Sequence, residues 1–423
     1  MKKFRSYTAV LDYLYTSLPM FQRQGAPAMK KDLTNIRKLC EALNNPHHSL
    51  RTIHVAGTNG KGSTCHILSA LLQSQGYSVG LYTSPHYKDF RERVKINSDL
   101  MSSKFVVDFV NENKEKIEEI RPSFFEITVA MAFAYFAEKK PDFVIVEVGL
   151  GGRLDSTNII TPELSVITNI SKDHVQFLGD TLPLIAVEKA GIIKASVPVI
   201  IGERQKETTA VFTNKAKEMK SELIFAEDLV QVKNKADEVS LAYAQRVYHF
   251  SLDWFSVYQG KNLATAWLAF EHIMGGGIKQ KMIKEYLEAM PEKTYFLGRW
   301  MKLGENPLII AESAHNEAGL EIVMNKLESL TYENLFMVLG FSSDKDLSSV
   351  IHLFPKNARY LWAKAKIPRG MNAEYLMKFG RIHELNGKTY SKVSRAFAAA
   401  KRMAKPGDMI YVGGSIFVVA EVL

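Results

Sequence analysis

Cysteine is scarce in this chain: 423 residues contain two, Cys40 and Cys65. They have no spacing typical of a metal site and cannot form a disulfide framework, so a reducing compartment, the cytoplasm, is expected. No apolar run approaches the ~18 residues that a membrane-spanning helix needs, so no membrane partner is expected. The basic residues 1–5 are not followed by an apolar segment, so no secretion signal is expected.

Arginine-rich tails, low-complexity segments and internal repeats are also missing. The formal net charge is +9, from 54 lysines and arginines against 45 acidic residues, and the positive residues are spread along the chain. Such a balance suits acidic ligands such as nucleotides or polycarboxylates, and it equally suits an ordinary soluble surface. A nucleic-acid partner is therefore not expected.

Strand and helix patterns alternate along most of the chain, which indicates α/β architecture with mainly parallel sheets. In the first part, apolar β-branched runs predict strands at 52–56, 78–82, 142–148, 164–170 and 197–201. The alternation breaks near 290–294 and restarts with predicted strands at 308–311, 335–339, 359–363 and 409–412. The sequence therefore predicts one domain over 1–293 and a smaller open-sheet domain over 294–423.

The most informative segment, Gly57-Thr58-Asn59-Gly60-Lys61-Gly62-Ser63, joins a predicted strand to a predicted helix. Glycines let backbone N–H groups surround phosphate oxygens, and the helix N-terminus adds partial positive charge. In a P-loop of this kind, Lys61 would reach the β- and γ-phosphates and Ser63 would hold Mg²⁺. Gly62 departs from the strict pattern, so a glycine turn before a structural helix is the alternative.

Polar residues stand where predicted strands end, at the edge where doubly wound sheets bind ligands. Glu147 ends an apolar strand, and its buried carboxylate needs a partner, either Mg²⁺ near the P-loop, or Arg153 or another basic residue. His174 follows another strand and could bind metal or cap a helix, although Mg²⁺ prefers oxygen ligands. Glu188 and Lys189 fit an ion pair near a helix C-terminus.

The second predicted domain shows the same feature. Residues 312–316 follow one strand and residues 341–346 follow the next, with Asn316 placed as an ordinary N-cap. Two polar strand ends on one sheet edge suggest a cleft that faces the other domain.

Together these segments resemble the folylpolyglutamate synthase/dihydrofolate synthase family, within the Mur-ligase superfamily of ATP-dependent amide ligases. The resemblance spans nearly the whole chain and rests mainly on residues 54–63 and 147–158, followed in order by 173–179 and 188–192. Gly62 is normal in that family. The resemblance implies an N-terminal domain of the P-loop NTPase type, with a mainly parallel sheet, and a smaller Rossmann-like C-terminal α/β domain.

The resemblance also implies roles for individual residues. The implied ATP contacts are Thr58, Asn59, Gly60, Lys61, Gly62, Ser63, Asn262, Arg299 and Glu312. The implied magnesium ligands are Ser63, Glu147 and His174, with a second Mg²⁺ near a carbamylated Lys189. The implied catalytic residues are Lys61, Lys189 and His315. The implied substrate-binding residues are Ser84, Pro85 and His86, beside the pterin pocket, and Ser415 in the last glycine–serine segment.

Two positions depart from the family pattern. Glu312 replaces the usual Asp, and Glu317 replaces the usual Pro after Asn316. Both leave the nucleotide contacts of the second domain open.

The implied reaction transfers the ATP γ-phosphoryl group to a folate-type carboxylate, and the amine of L-glutamate then attacks the acyl phosphate. Dihydropteroate and reduced folates are the expected acceptors, with folylpolyglutamate synthase activity alone as the alternative. A UDP-muramoyl-peptide ligase would carry a larger domain before the P-loop than 56 residues allow. A P-loop nucleotide switch, the distant alternative, would hydrolyse nucleotide without glutamate. The family resemblance suggests a monomer.

Overall fold

The computed structural model describes residues 3–20, 32–235, 238–256, 258–343 and 345–423. The chain divides into two compact units. The first comprises 1–253 and 258–295, and the second comprises 254–257 and 296–423. Among the described residues, no helix combines the length and the apolar character that crossing a membrane requires.

The first unit is built on an eight-stranded sheet whose centre is parallel. Its strands are β1 (Thr52–Ala56), β2 (Val79–Tyr82), β3 (Val94–Ile96), β4 (Asp99–Leu100), β5 (Phe143–Glu147), β6 (Leu164–Ile167), β7 (Val199–Ile201) and β8 (Leu223–Phe225). They lie in the order β4-β3-β2-β5-β1-β6-β7-β8; β3 pairs antiparallel with both β2 and β4, and the other neighbours pair parallel. Because β1 lies between β5 and β6, the carboxyl ends of these three strands meet at one edge.

Helices surround this sheet, so its central strands are buried on both faces and carry apolar residues throughout. The α-helices described in this unit are α1 (Tyr7–Ser17), α2 (Thr34–Ala42), α3 (Lys61–Ser74), α4 (Ser103–Glu112), α5 (Lys114–Ile120), α6 (Phe124–Lys139), α7 (Val175–Leu178), α8 (Leu182–Ala190), α9 (Lys206–Glu218), α10 (Ala226–Leu229), α11 (Gln259–Met274), α12 (Ile283–Glu288) and α13 (Met290–Thr294). The helical residues between 103 and 120 form two helices, α4 and α5. Asn113 separates them because it leaves the helical conformation and its side-chain amide donates to the Phe109 carbonyl.

A small antiparallel sheet follows α10. It consists of β9 (Val230–Lys235), β10 (Glu238–Tyr243) and β11 (Arg246–Phe250). The next helix, α11, begins at Gln259.

The second unit contains a six-stranded sheet. Its strands are β12 (Met301–Glu305), β13 (Leu308–Glu312), β14 (Leu335–Leu339), β15 (Arg359–Ala363), β16 (Gly387–Tyr390) and β17 (Met409–Gly413). They lie in the order β12-β13-β17-β14-β15-β16, and all but β12 run parallel. Its helices are α14 (Glu317–Glu328), α15 (Ala373–Ile382), α16 (Val393–Met403) and α17 (Ile416–Ala420). The predicted α/β class is confirmed in both units, whereas the half-exposed edge strands β12 and β16 were missed because their apolar pattern is weak.

Candidate active site

The glycine loop 57–63 leaves β1 and enters α3 at the carboxyl edge of the first sheet. Gly57 has a φ of +146° and Gly60 a φ of +80°. A Cβ atom on Gly57 would lie 1.8 Å from Thr168 Oγ1, and one on Gly60 would lie 2.0 Å from Asn262 Oδ1. Both positions therefore require glycine, because the loop is pressed against the segment after β6 and against α11.

Hydrogen bonds tie the start of the loop to the segment that follows β6. The Thr58 N–H donates to the Asn169 carbonyl (2.9 Å), and the Asn59 N–H donates to Asn169 Oδ1 (3.0 Å). The Thr58 hydroxyl donates to the Ser171 carbonyl and accepts from the Ser171 N–H. The N–H groups of Thr58 and Asn59 are thus committed within the protein. The donors of this loop that would suit a phosphate are the N–H groups at the N-terminus of α3, which have no partner inside the helix.

Two lysine ammonium groups converge on one carbonyl of the loop. Lys61 Nζ donates to the Gly57 carbonyl (3.0 Å) and the Thr58 carbonyl (3.1 Å), and Lys189 Nζ donates to the Gly57 carbonyl (2.8 Å). Burial of Lys189, together with the nearby charge of Lys61, lowers the pKa of Lys189 to about 7. The arrangement places positive charge beside a helix N-terminus, which suits a phosphate group.

The structure decides against the ion pair predicted between Glu188 and Lys189. Glu188 Oε1 instead accepts from Arg153 Nη2 at 2.9 Å, while the Lys189 side chain is buried. A second glycine loop, residues 149–152, follows β5. A Cβ on Gly152 would lie 2.8 Å from the Glu188 carbonyl, so this loop packs directly on the end of α8 and fixes its last turn.

Glu147 ends β5 with a carboxylate that is 5% exposed. Its Oε2 accepts from the Ser84 N–H (2.9 Å), and a Cβ on Gly62 would lie 3.6 Å from its Oε1. Ser63 is 3% exposed, and its hydroxyl makes no hydrogen bond within the described part of the chain. A free hydroxyl and a carboxylate near the loop are oxygen donors of the kind that Mg²⁺ prefers.

No group of three or more His, Cys, Asp or Glu side chains in the described ranges is arranged to hold a metal ion. His174 takes the N-cap position of α7 with a φ of +50°, and its N–H donates to Asp173 Oδ1 (2.8 Å). Its Nε2 lies 3.9 Å from the same carboxylate oxygen. The donors present fit a Mg²⁺ that arrives with nucleotide phosphates better than a preformed protein cage.

The predicted substrate loop is held by an acid that the sequence reasoning missed. The Glu92 carboxylate accepts from three consecutive backbone N–H groups, those of Tyr87, Lys88 and Asp89, at 2.7–2.9 Å. Ser84 is joined to Pro85 by a cis peptide bond. No motif marks Glu92, although an acid three residues after Asp89 is the signal of a capping box.

His86 is held as a neutral imidazole. Its Nδ1 accepts from Arg93 Nε (2.8 Å), so its proton is on Nε2, which lies 3.5 Å from the Tyr15 hydroxyl. Burial and the Arg93 charge lower the pKa of His86 to about 3. The rings of Phe90 and Phe124 lie close by, so the loop presents an imidazole in aromatic surroundings.

A chain of buried hydrogen bonds supports the glycine loop that follows β5. Asp155 accepts from the N–H groups of Gly149 (3.0 Å) and Leu150 (2.9 Å), and from the Thr157 hydroxyl (2.5 Å). Since that hydroxyl donates to Asp155, it accepts from His54 Nε2 at 2.9 Å. The sequence reasoning did not find His54, because a histidine inside a strand pattern carries no signal of its partner.

In the second unit, Glu312 ends β13 and is 1% exposed. Its Oε2 accepts from the Trp300 N–H (2.7 Å), and its Oε1 accepts from the Ala314 N–H (2.9 Å). Arg299 Nη1 lies 3.7 Å from Oε1. His315 Nδ1 donates to the Ser313 carbonyl (3.1 Å).

Two polar residues of the second unit are helix caps. Asn316 Oδ1 accepts from the Gly319 N–H at the start of α14, so the predicted N-cap is confirmed. The buried Ser415 hydroxyl accepts from the Val418 N–H at the start of α17 (3.3 Å). Asn262 lies on α11 in the first unit, where its Nδ2 donates to Gln259 Oε1 (2.9 Å).

Two family models match the chain. Residues 55–269 match the Mur ligase middle domain, and residues 298–416 match the Mur ligase glutamate ligase domain. A dihydrofolate synthase/folylpolyglutamate synthase of Bacillus subtilis is 31% identical over 412 residues, which cover 93% of this chain and 94% of that protein. A probable bifunctional folylpolyglutamate synthase/dihydropteroate synthase of Haloferax volcanii is also 31% identical over 93% of this chain, which spans only 48% of that longer protein.

Solved structures of similar proteins superpose on nearly the whole of this chain. E. coli FolC in complex with DHPP and ADP superposes with a TM-score of 0.87 at 28% identity, over 100% of this chain and 98% of that chain. A bifunctional folylpolyglutamate synthase/dihydrofolate synthase with Mn, AMPPNP and L-glutamate bound superposes with a TM-score of 0.84 at 29% identity, over 99% and 97%.

Proposed function

The chain belongs to the folylpolyglutamate synthase/dihydrofolate synthase family of Mur ligases, and from this premise we propose that it is an ATP-dependent ligase that joins L-glutamate to dihydropteroate and to the γ-carboxylate of reduced folates. The relatives' names support a glutamate ligase acting on folates. The use of both acceptors is the finer part of the proposal. A folylpolyglutamate synthase without the dihydropteroate activity is the alternative.

The observation that carries the proposal is the convergence of Lys61 and Lys189 on the Gly57 carbonyl, beside the N-terminus of α3. A carboxylate oxygen is a poor leaving group, so amide formation needs activation. The acceptor carboxylate attacks the γ-phosphorus of ATP, ADP leaves, and an acyl phosphate forms. The glutamate amine then attacks the acyl carbon, and inorganic phosphate leaves. Lys61 and the helix N-terminus supply the positive charge that holds the transferring phosphoryl group.

Ser63 and Glu147 are proposed to hold magnesium, with His174 as the third predicted ligand. Bound Mg²⁺ supplies charge neutralisation on the phosphate oxygens of ATP. The manganese named in a structural relative supports a divalent ion. The free Ser63 hydroxyl and the buried Glu147 carboxylate are the donors of this chain that suit it best.

Lys189 is proposed to be carbamylated, with its carbamate near a second Mg²⁺. Because its pKa is lowered to about 7, a large fraction of the amine is neutral at physiological pH. A neutral amine attacks CO₂, forming an N–C bond and releasing one proton. ¹³C NMR of the protein under ¹³CO₂ should show a carbamate signal that is missing from a Lys189→Met variant, and an unlabelled wild type would contradict the modification.

The remaining site residues stay predictions. Asn262 and Arg299 are predicted ATP contacts, His315 is predicted to be catalytic, and the loop at 84–86 with Ser415 is predicted to bind substrate. A monomer acting in the cytoplasm completes the proposal, and sedimentation of the purified chain tests its oligomeric state.

Phosphate release from Mg-ATP tests the function directly. We expect release that requires L-glutamate together with either dihydropteroate or tetrahydrofolate, and a Lys61→Met variant should lose it. Release with tetrahydrofolate alone would leave the folylpolyglutamate synthase alternative. Release that needs neither glutamate nor a pterin would refute the ligase proposal and favour a nucleotide switch.

A further inference from the structure

Both carboxylate oxygens of Glu312 are used within the second unit. Oε2 accepts from the Trp300 N–H and Oε1 from the Ala314 N–H, at 2.7 and 2.9 Å. The side chain is 1% exposed, so these bonds form away from water, where a charged acceptor with two donors is strongly held.

The segment that Glu312 holds is the one that carries Arg299. Gly298 and Trp300, on either side of Arg299, have φ values of +66° and +47°. Trp300 is a bulky residue in the left-handed region, a strained conformation that persists only where neighbours enforce it. The Trp300 N–H bond to Glu312, and the Ser313 N–H bond to the Gly298 carbonyl (3.2 Å), are the contacts that enforce it.

Register explains why the longer side chain is present. β12 pairs antiparallel with β13 so that Met301 lies opposite Ala311, which places Trp300 beside Glu312. A glutamate spans the gap between the two strands and still receives the Ala314 N–H from its own strand end. An aspartate is one methylene shorter and cannot keep both bonds at these lengths.

From this geometry we propose that Glu312 is a positioning residue, which fixes the backbone and guanidinium of Arg299 for the nucleotide, and is not itself a nucleotide contact. The inference rests on the proposed ligase function and on the predicted ATP contact of Arg299. Arg299 Nη1 is 3.7 Å from Oε1, and the Arg299 side chain is 36% exposed, so the buried Glu312 carboxylate lies against the guanidinium as well as against the backbone beside it. Glu312, which departs from the family pattern, therefore stabilises the loop that carries Arg299 in this chain.

The test compares Glu312→Asp with Glu312→Gln, which keeps the length but places an amide N–H₂ against one backbone donor. Loss of a hydrogen bond to a charged group corresponds to tenfold or more in an equilibrium constant. We expect both variants to raise the KM for ATP and the Kd for AMPPNP about tenfold, with kcat and the KM for L-glutamate within about twofold. Glu305→Asp is the matched control, because Glu305 lies on the same hairpin in an exposed pair with Lys302.

Energetic coupling between Glu312 and Arg299 distinguishes a positioning role from a merely structural one. If Glu312 acts through Arg299, the double variant Glu312→Asp/Arg299→Ala binds AMPPNP no more weakly than Arg299→Ala alone. A Glu312→Asp variant with wild-type affinity, or one whose defect multiplies that of Arg299→Ala, would overturn the inference. Wild-type protein that binds AMPPNP but releases no glutamate-dependent phosphate would instead refute the proposed function, since the binding arm does not depend on turnover.

Discussion

Gly60→Ala offers the sharpest test of the glycine loop, because the chain contains a matched control on the same helix. Gly60 precedes α3 with a φ of +80°, and Gly76 follows α3 with a φ of +92°. A Cβ on Gly60 would lie 2.0 Å from Asn262 Oδ1, whereas a Cβ on Gly76 would meet nothing within 4 Å. The two substitutions therefore share the backbone strain and differ in the contact.

The magnitudes follow from these two effects. The left-handed backbone costs an alanine about 1–2 kcal/mol, and this is the whole expected loss of unfolding free energy for Gly76→Ala. In Gly60→Ala the amide of Asn262 must also move, which breaks its bond to Gln259 in a buried place. Leaving a buried polar group unsatisfied adds about 1–3 kcal/mol, so Gly60→Ala should lose about 2–5 kcal/mol in all.

Urea unfolding of the two variants, with the KM for ATP measured in parallel, checks the prediction. Gly60→Ala should lower the unfolding midpoint more and raise the KM, whereas Gly76→Ala should leave the KM unchanged. In an Asn262→Ala background the contact is gone, so Gly60→Ala should cost no more than Gly76→Ala. Equal losses for the two glycine variants in the wild-type background would refute the steric reasoning.

Three further outcomes are expected. Lys189 has a folded pKa of about 7, below the ordinary 10.5, so the unfolded state binds more protons between these values and stability rises with pH there. Relative to Lys189→Met, the wild type should gain up to about 4 kcal/mol of unfolding free energy from pH 7 to pH 10, and a difference that stays flat would contradict the buried amine. Glu147→Gln should keep the fold and raise the Mg²⁺ concentration needed for half-maximal turnover at least tenfold, and an unchanged Mg²⁺ titration would exclude Glu147 as a ligand. In Gly62→Ala the new Cβ would lie at an ordinary 3.6 Å from Glu147 Oε1, so the unfolding free energy should change by less than about 1 kcal/mol while turnover falls. Thermal melts measure the change in stability, and phosphate release measures the change in turnover.

Local patterns were enough to predict much of the fold. The strands at 52–56 and 335–339 were predicted with the bounds that the structure has, because a strand buried on both faces shows as a continuous apolar run. Breaks within helices and half-exposed edge strands were not predicted. The split at Asn113 depends on one side-chain hydrogen bond, and β12 and β16 have too few buried residues to leave a pattern.

The candidate site, like the fold, was predicted from local patterns only in part. The spacing of Gly57, Gly60 and Lys61 predicted a glycine loop that opens a helix, because the φ values and the helix start are properties of a few adjacent residues. The partners of those residues lie far away in the chain. Lys189 donates to the carbonyl of Gly57, which is 132 residues earlier, and sequence spacing alone favoured an ion pair with Glu188.

By itself, therefore, the sequence determined the α/β class, the glycine loop and the family, since each depends on periodicity or on short motifs in a fixed order. Only the tertiary structure decided which groups are already occupied and which are available. In the folded chain the N–H groups of Thr58 and Asn59 donate hydrogen bonds to Asn169, and the Trp300 N–H donates to the Glu312 carboxylate. The physical reason is that a buried polar group takes whatever partner the fold brings within about 3 Å, and that partner's position in the sequence is not constrained by local pattern.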